Sequence, residues 1–169
     1  LLGSIVHHMI LDPRDRKTIL MAAQTKTHGP MIFKSTDFGM NWVPVKSPPK
    51  FSTSKKVAHI YRLTPGHESE VNVWYAGTSP QGLFKSEDFG DSWQEVSGFN
   101  NHPQIDKWCG NSVSSTLKYE KIHSIMVHPQ NTCSLIIGMA SGGVFESMDG
   151  GESWTSMNEG LLTTEIKDS

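Results

Sequence analysis

Three acidic side chains recur in the same eight-residue setting. Asp37 lies in STDFGMNW (35–42), Asp88 in SEDFGDSW (86–93) and Asp149 in SMDGGESW (147–154). A carboxylate so placed could act as a general acid or base, ligate calcium, or tie a turn. Acid–base work needs a second positioned group, and a calcium loop needs several oxygen ligands at alternating positions. The octets offer one constant carboxylate each, so they are read as turns in which the aspartate accepts from backbone N–H groups two or so residues on. The other constant positions agree. Ser35, Ser86 and Ser147 open the octets, and Gly39, Gly90 and Gly151 supply a backbone conformation that a Cβ would strain. Trp42, Trp93 and Trp154 fold back as apolar caps. No metal or other cofactor is expected.

Histidines form the second candidate group. Counting back six residues from Pro13, Pro65 and Pro129 lands on His7, His59 and His123. Imidazoles converging at one level could bind an anion, titrate near neutral pH or hold a metal; the alternative is a repeated structural residue bonded to neighbouring backbone. A third candidate is Trp108, next to Lys107 and Asp106 in the stretch 97–120, where an aromatic beside polar groups suits a sugar ring or a peptide. The alternative there is that Trp108 only plugs its loop onto the neighbouring sheet.

The elements that must carry these residues repeat as well. Apolar runs VHHMILDP (6–13), AHIYRLTP (58–65) and IHSIMVHP (122–129) precede TILMAAQ (18–24), NVWYAGT (72–78) and SLIIGMA (134–140). Phe33, Phe84 and Phe145 stand two residues before each octet, and VPVK, QEV and TSM follow the octets. Short runs punctuated by Pro, Gly, Asn and Ser are strand and turn signals. Four antiparallel strands per unit give an all-β chain of propeller blades. Blade one spans about 4–46, blade two about 56–96 and blade three about 121–158, with an insertion at about 97–120. Propellers typically close with about 4–8 blades, so three imply a partial propeller or half of a six-bladed assembly, open to self-association through its blade edges.

Bulk composition narrows the partners. With 15 Lys plus Arg against 17 Asp plus Glu, the 169-residue chain has a formal net charge of −2. That balance makes no electrostatic case for nucleic acid or an anionic membrane. No apolar run reaches the roughly 20 residues of a membrane span. Cys109 and Cys133 match no zinc spacing and are read as free thiols. The composition is that of a soluble protein and leaves its compartment, cytoplasmic or exported, open.

The octets resemble Asp-boxes, or BNR repeats, found in the propellers of sialidases, xyloglucan-active glycoside hydrolases, the sortilin luminal domain and photosystem II assembly factors. Over nearly the whole chain, the frame is similar to bacterial BNR-repeat, sialidase-like glycosyl hydrolase-like proteins of unassigned activity. The resemblance implies Asp-boxes on the propeller periphery, away from the ligand face. It also implies a catalytic set to look for. Sialidases grip a carboxylate with three arginines, whereas here Arg14 and Arg16 share one turn and Arg62 lies in another blade. Other glycosidases use two carboxylates across the scissile bond, and the loop acids Asp106, Glu120 and Glu159 form no evident pair. The expectation is a scaffold presenting a glycan or protein ligand on its loop face; the alternative is part of a glycoside hydrolase with its catalytic residues elsewhere.

Overall fold

Alternation of buried and exposed residues along short β-branched and aromatic runs favours strands with one face inward. The computed structural model describes residues 3–108, 120–140 and 142–161, without the side chain of Asp106. Cys109 lies outside the described residues; Cys133 is a free, exposed thiol. Twelve strands form three four-stranded antiparallel sheets. Sheet one is β1 (Ile5–Leu11), β2 (Ile19–Thr25), β3 (Gly29–Ser35) and β4 (Val43–Pro44). Sheet two is β5 (His59–Pro65), β6 (Trp74–Ser79), β7 (Gly82–Ser86) and β8 (Gln94–Glu95). Sheet three is β9 (Ile122–His128), β10 (Asn131–Met139), β11 (Gly143–Ser147) and β12 (Thr155–Ser156). Each sheet runs in sequence order, and its first strand adjoins the first strand of the next, β1 to β5 and β5 to β9. This is the wiring of propeller blades around an axis.

The insertion is not wholly loop. It contains two single-turn helices, α1 (Ser97–Asn100) and α2 (Ile105–Trp108). They escape a search for helical periodicity because four residues span barely one turn.

Blades adhere through two apolar layers. Leu20, Ala22, Ile32 and Val45 of blade one meet Ile60, Leu63, Trp74, Phe84 and Trp93 of blade two. Tyr75, Leu83, Val96 and Phe99 then meet Ile122, Ile125, Leu135, Phe145 and Trp154. Strand register makes Val6, Ile60 and Ile122 equivalent, and likewise Met9, Leu63 and Ile125. Ile60, Leu63, Ile122 and Ile125 are at most 2% exposed, while Val6 and Met9 are 50% and 57% exposed. Among the described residues, the leading face of blade one is thus an uncovered apolar face.

Candidate functional site

The octets are built first from serine, not aspartate. Ser86 Oγ accepts from the Gly90 N–H at 2.9 Å and donates to Asp88 Oδ1 at 2.8 Å. Asp88 then accepts from the Ser92 N–H at 2.8 Å and the Ser92 hydroxyl at 2.6 Å. Ser35 and Asp37 repeat this with Gly39 and Asn41, and Ser147 and Asp149 with Gly151 and Ser153. The aspartate therefore reaches four residues on, farther than the expected two, and the serine, only 1% exposed, supplies the buried acceptor. Two consecutive residues adopt positive φ: Phe38 and Gly39, Phe89 and Gly90, Gly150 and Gly151. The first of each pair is held by its N–H, which donates to Lys17 O or Asn72 O in the connection between the blade's first two strands, or to Cys133 O near the start of β10. A left-handed phenylalanine is costly, and this cross-turn bond helps to hold it.

These aspartates are acceptors at every oxygen. Bonds from the Asn41 backbone and side chain hold Asp37 down at about 2. The Ser153 hydroxyl and N–H do the same for Asp149, also to about 2. At Asp88 partial burial acts upward, but the Ser92 and Ser86 bonds outweigh it and the net shift is down. The three aspartates sit on separate blades, each engaged within its own turn.

Because β1 and β3 end at the same edge of the sheet, the octet and the first-strand turn share one end, as the Phe38–Lys17 bond shows. The β2–β3 turns and the starts of β1, β5 and β9 occupy the opposite end. There the structure joins His7 to His59, with His7 Nε2 and His59 Nδ1 3.2 Å apart. Tyr61 completes a ring cluster, its centroid 5.0 Å from His7 and 5.6 Å from His59. The Lys121 ammonium lies 4.5 Å over the Tyr61 ring. Burial pushes the His7 pKa down, and the charges of His59 and Lys121 push the same way. Deeper in the blade one–two seam, Arg62 Nη1 is 3.3 Å from His8 Nε2, and the Leu63 N–H donates to His8 Nδ1.

The proline-based equivalence of the three histidines does not hold. His7, Tyr61 and His123 each occupy the extra residue of a β-bulge, whereas His59 pairs at the position of Ile5. Pro65 pairs within β5, two positions earlier than Pro13 and Pro129 stand relative to their strands. His123 is exposed and bonds Ser124 Oγ at 3.1 Å, outside the His7–His59 pair. Among the described residues no three His, Cys, Asp or Glu side chains gather to hold a metal.

Trp108 lies elsewhere. Its ring stacks on His102 at 4.0 Å and packs against Phe145 of blade three at 4.3 Å, while Lys107 is exposed on α2. Arg14 is also engaged, bonded to Asp12 at 2.7 Å and to the Glu70 and Val73 carbonyls of blade two. It latches two blades, so the three arginines form no carboxylate clamp. Two clefts of about 400 and 330 Å³ lie at the octet end. On their walls Lys85 pairs with Glu87 and Lys34 with Asp91. Sequence reasoning passed over Tyr61 and Lys121 because the bulge that aligns them leaves no residue signature.

The repeated serine–aspartate–glycine geometry settles what the octets are. Residues 83–96 match the model of the BNR-Asp box repeat. The chain carries Asp-boxes on a β-propeller section, and its relatives fit that fold. It is 23% identical over 164 residues to a xyloglucanase from Paenibacillus sp., covering 90% of this chain and 16% of that protein. The GH74 xyloglucanase structure from Xanthomonas campestris superposes with a TM-score of 0.63 at 19% identity, over 89% of this chain and 23% of that one. YCF48 bound to D1 peptide gives 0.51 at 13% identity, over 88% of this chain and 42% of that one. The chain thus spans under half the length of each of these relatives, and the likeness establishes the Asp-box propeller fold.

Proposed function

We propose that this propeller section presents a glycan-binding face at the end opposite its Asp-boxes, with the Asp-boxes purely structural. One observation carries the reading: His7, His59 and Tyr61 bring three rings together at the mouth of the inner strands, beside the Lys121 ammonium. Ring faces with a few polar atoms at their edges suit a sugar's C–H face and hydroxyls. The rigid sheets beneath hold that geometry, as scaffold strands do for loop-borne sites. The xyloglucanase relative supports a glycan over other ligand classes.

The test is titration of the chain with xyloglucan oligosaccharides, followed by NMR. Shifts at His7, His59 and Tyr61, and loss of binding in Tyr61→Ala, are expected. Shifts confined to the Trp93 and Trp154 indoles at the Asp-box end would refute the reading.

A second reading, part of a glycoside hydrolase whose carboxylates lie on other blades, is favoured by the match along 90% of this chain. It predicts binding without hydrolysis by this chain alone, and hydrolysis once the missing blades are supplied.

A further inference from the structure

The overall charge of −2 conceals an uneven distribution between the two ends. At the Asp-box end acids and bases are mixed: Asp12 and Asp15 share the β1–β2 turn with Arg14, Arg16 and Lys17, and Lys34 and Lys85 pair with Asp91 and Glu87. The segments forming the opposite end are 24–29, 55–62, 79–82 and 120–124. They contain Lys26, Lys55, Lys56, Arg62 and Lys121 against the single acid Glu120. Among the described residues, neither Lys121 nor Arg62 has a carboxylate partner.

We propose that His7, His59 and Lys121 form an anion subsite that receives the carboxylate of a uronic-acid-bearing glycan, the imidazole pair taking up one proton as it binds. This rests on the glycan-face reading and adds the charge of the sugar. With ring nitrogens 3.2 Å apart, one imidazole donates its N–H to the other. One added proton gives the pair a single positive charge with that bond intact; a second would set two cations side by side. Of the charged and titratable groups around the pair, Tyr61 on β5 meets both rings and Lys121, just before β9, acts on His7, while His8 on β1 and Arg62 on β5 pair with each other deeper in the seam. Burial, and then the charges of His59 and Lys121, disfavour a proton on His7 while the site is empty. A carboxylate reverses their effect by stabilising the protonated form, so binding is linked to proton uptake and tightens as pH falls. Glycan is favoured over acidic peptide because three clustered rings offer stacking surface as well as charge.

The experiment is calorimetry on the 169-residue chain with a glucuronoxylo-oligosaccharide and its carboxyl-reduced, neutral twin, at pH 5.5 and 7.5. We expect the uronate to bind about tenfold tighter than its twin at the lower pH. Linkage to one proton allows a change of up to about tenfold per pH unit, and we expect a loss of about fivefold or more by pH 7.5. His59→Asn should abolish the pH dependence, and Lys121→Gln should weaken the uronate about threefold or more at both pH values without touching the twin. His59→Asn must melt as the parent does; if it does not, Lys121→Gln and the titration of the histidine Cε1 resonances with and without uronate carry the test. Equal binding of uronate and twin overturns the anion subsite while leaving the glycan face standing. An acidic tripeptide that binds as tightly with the same pH dependence overturns the glycan class. Binding of neither sugar overturns both.

Discussion

Replacing the Asp-box glycines by alanine separates turn strain from blade packing. Gly39, Gly90 and Gly151 have φ of 89°, 81° and 103°, so each alanine meets a left-handed backbone, costing about 1–2 kcal/mol. Their surroundings differ. A Cβ on Gly39 would sit 3.7 Å from Trp42 and 3.8 Å from Ile19, ordinary contact. One on Gly90 would come within 2.8 Å of Leu20 Cδ1, and one on Gly151 within 2.7 Å of Val96 Cγ1, both across a blade interface. Leu20 is fully buried and cannot swing clear; overpacking of this kind adds about 1–3 kcal/mol. Gly39→Ala should therefore cost about 1–2 kcal/mol, and Gly90→Ala about 2–5 kcal/mol. Urea unfolding of the chain and its variants measures both. In a Leu20→Ala background the extra cost of Gly90→Ala should vanish, leaving the strain alone. Equal costs at Gly39 and Gly90, or no relief from Leu20→Ala, would refute the packing of blade one's Leu20 on blade two's Asp-box.

Ser86→Ala should destabilise by about 1–3 kcal/mol, because it strands the buried Gly90 N–H; a loss below that of Asp88→Ala, whose acceptors face solvent, would contradict the serine-first account. Acid should weaken the fold in a defined window. Asp37 and Asp149 lie near 2 in the folded chain, below their ordinary 3.8, so their contribution is complete above pH 4 and lost as pH falls toward 2. Melting temperature should drop there, and Asp37→Asn with Asp149→Asn should flatten the drop; an unchanged acid slope rules their carboxylates out as its source. We also infer that a second copy covers the open leading face of blade one, offering the trailing face of blade three, where Met126 and Met157 are exposed. Sedimentation should show mass rising with concentration in the parent and less so in Met9→Glu; a monomer throughout would refute it.

The repeat was legible because each octet must solve one local problem, two successive left-handed residues beneath a buried acceptor, and only a serine, an aspartate and a glycine at fixed spacing solve it. That local constraint carried the blades, the strand order and the end at which the Asp-boxes sit. The candidate site obeys no such rule. A β-bulge inserts a residue without a preferred side chain, so aligning by proline placed His59 with His7 when Tyr61 is the equivalent residue. His59 still meets His7, but diagonally, across the seam between β1 and β5. Contacts between blades join residues about fifty positions apart, and their pairing depends on how two sheets twist together. Net charge also averages over both ends of a blade: the Asp-box end mixes acids with Arg14, Arg16, Lys17, Lys34 and Lys85, whereas the inner mouth is rich in bases. An anionic ligand approaching the inner mouth meets that local field, not the average.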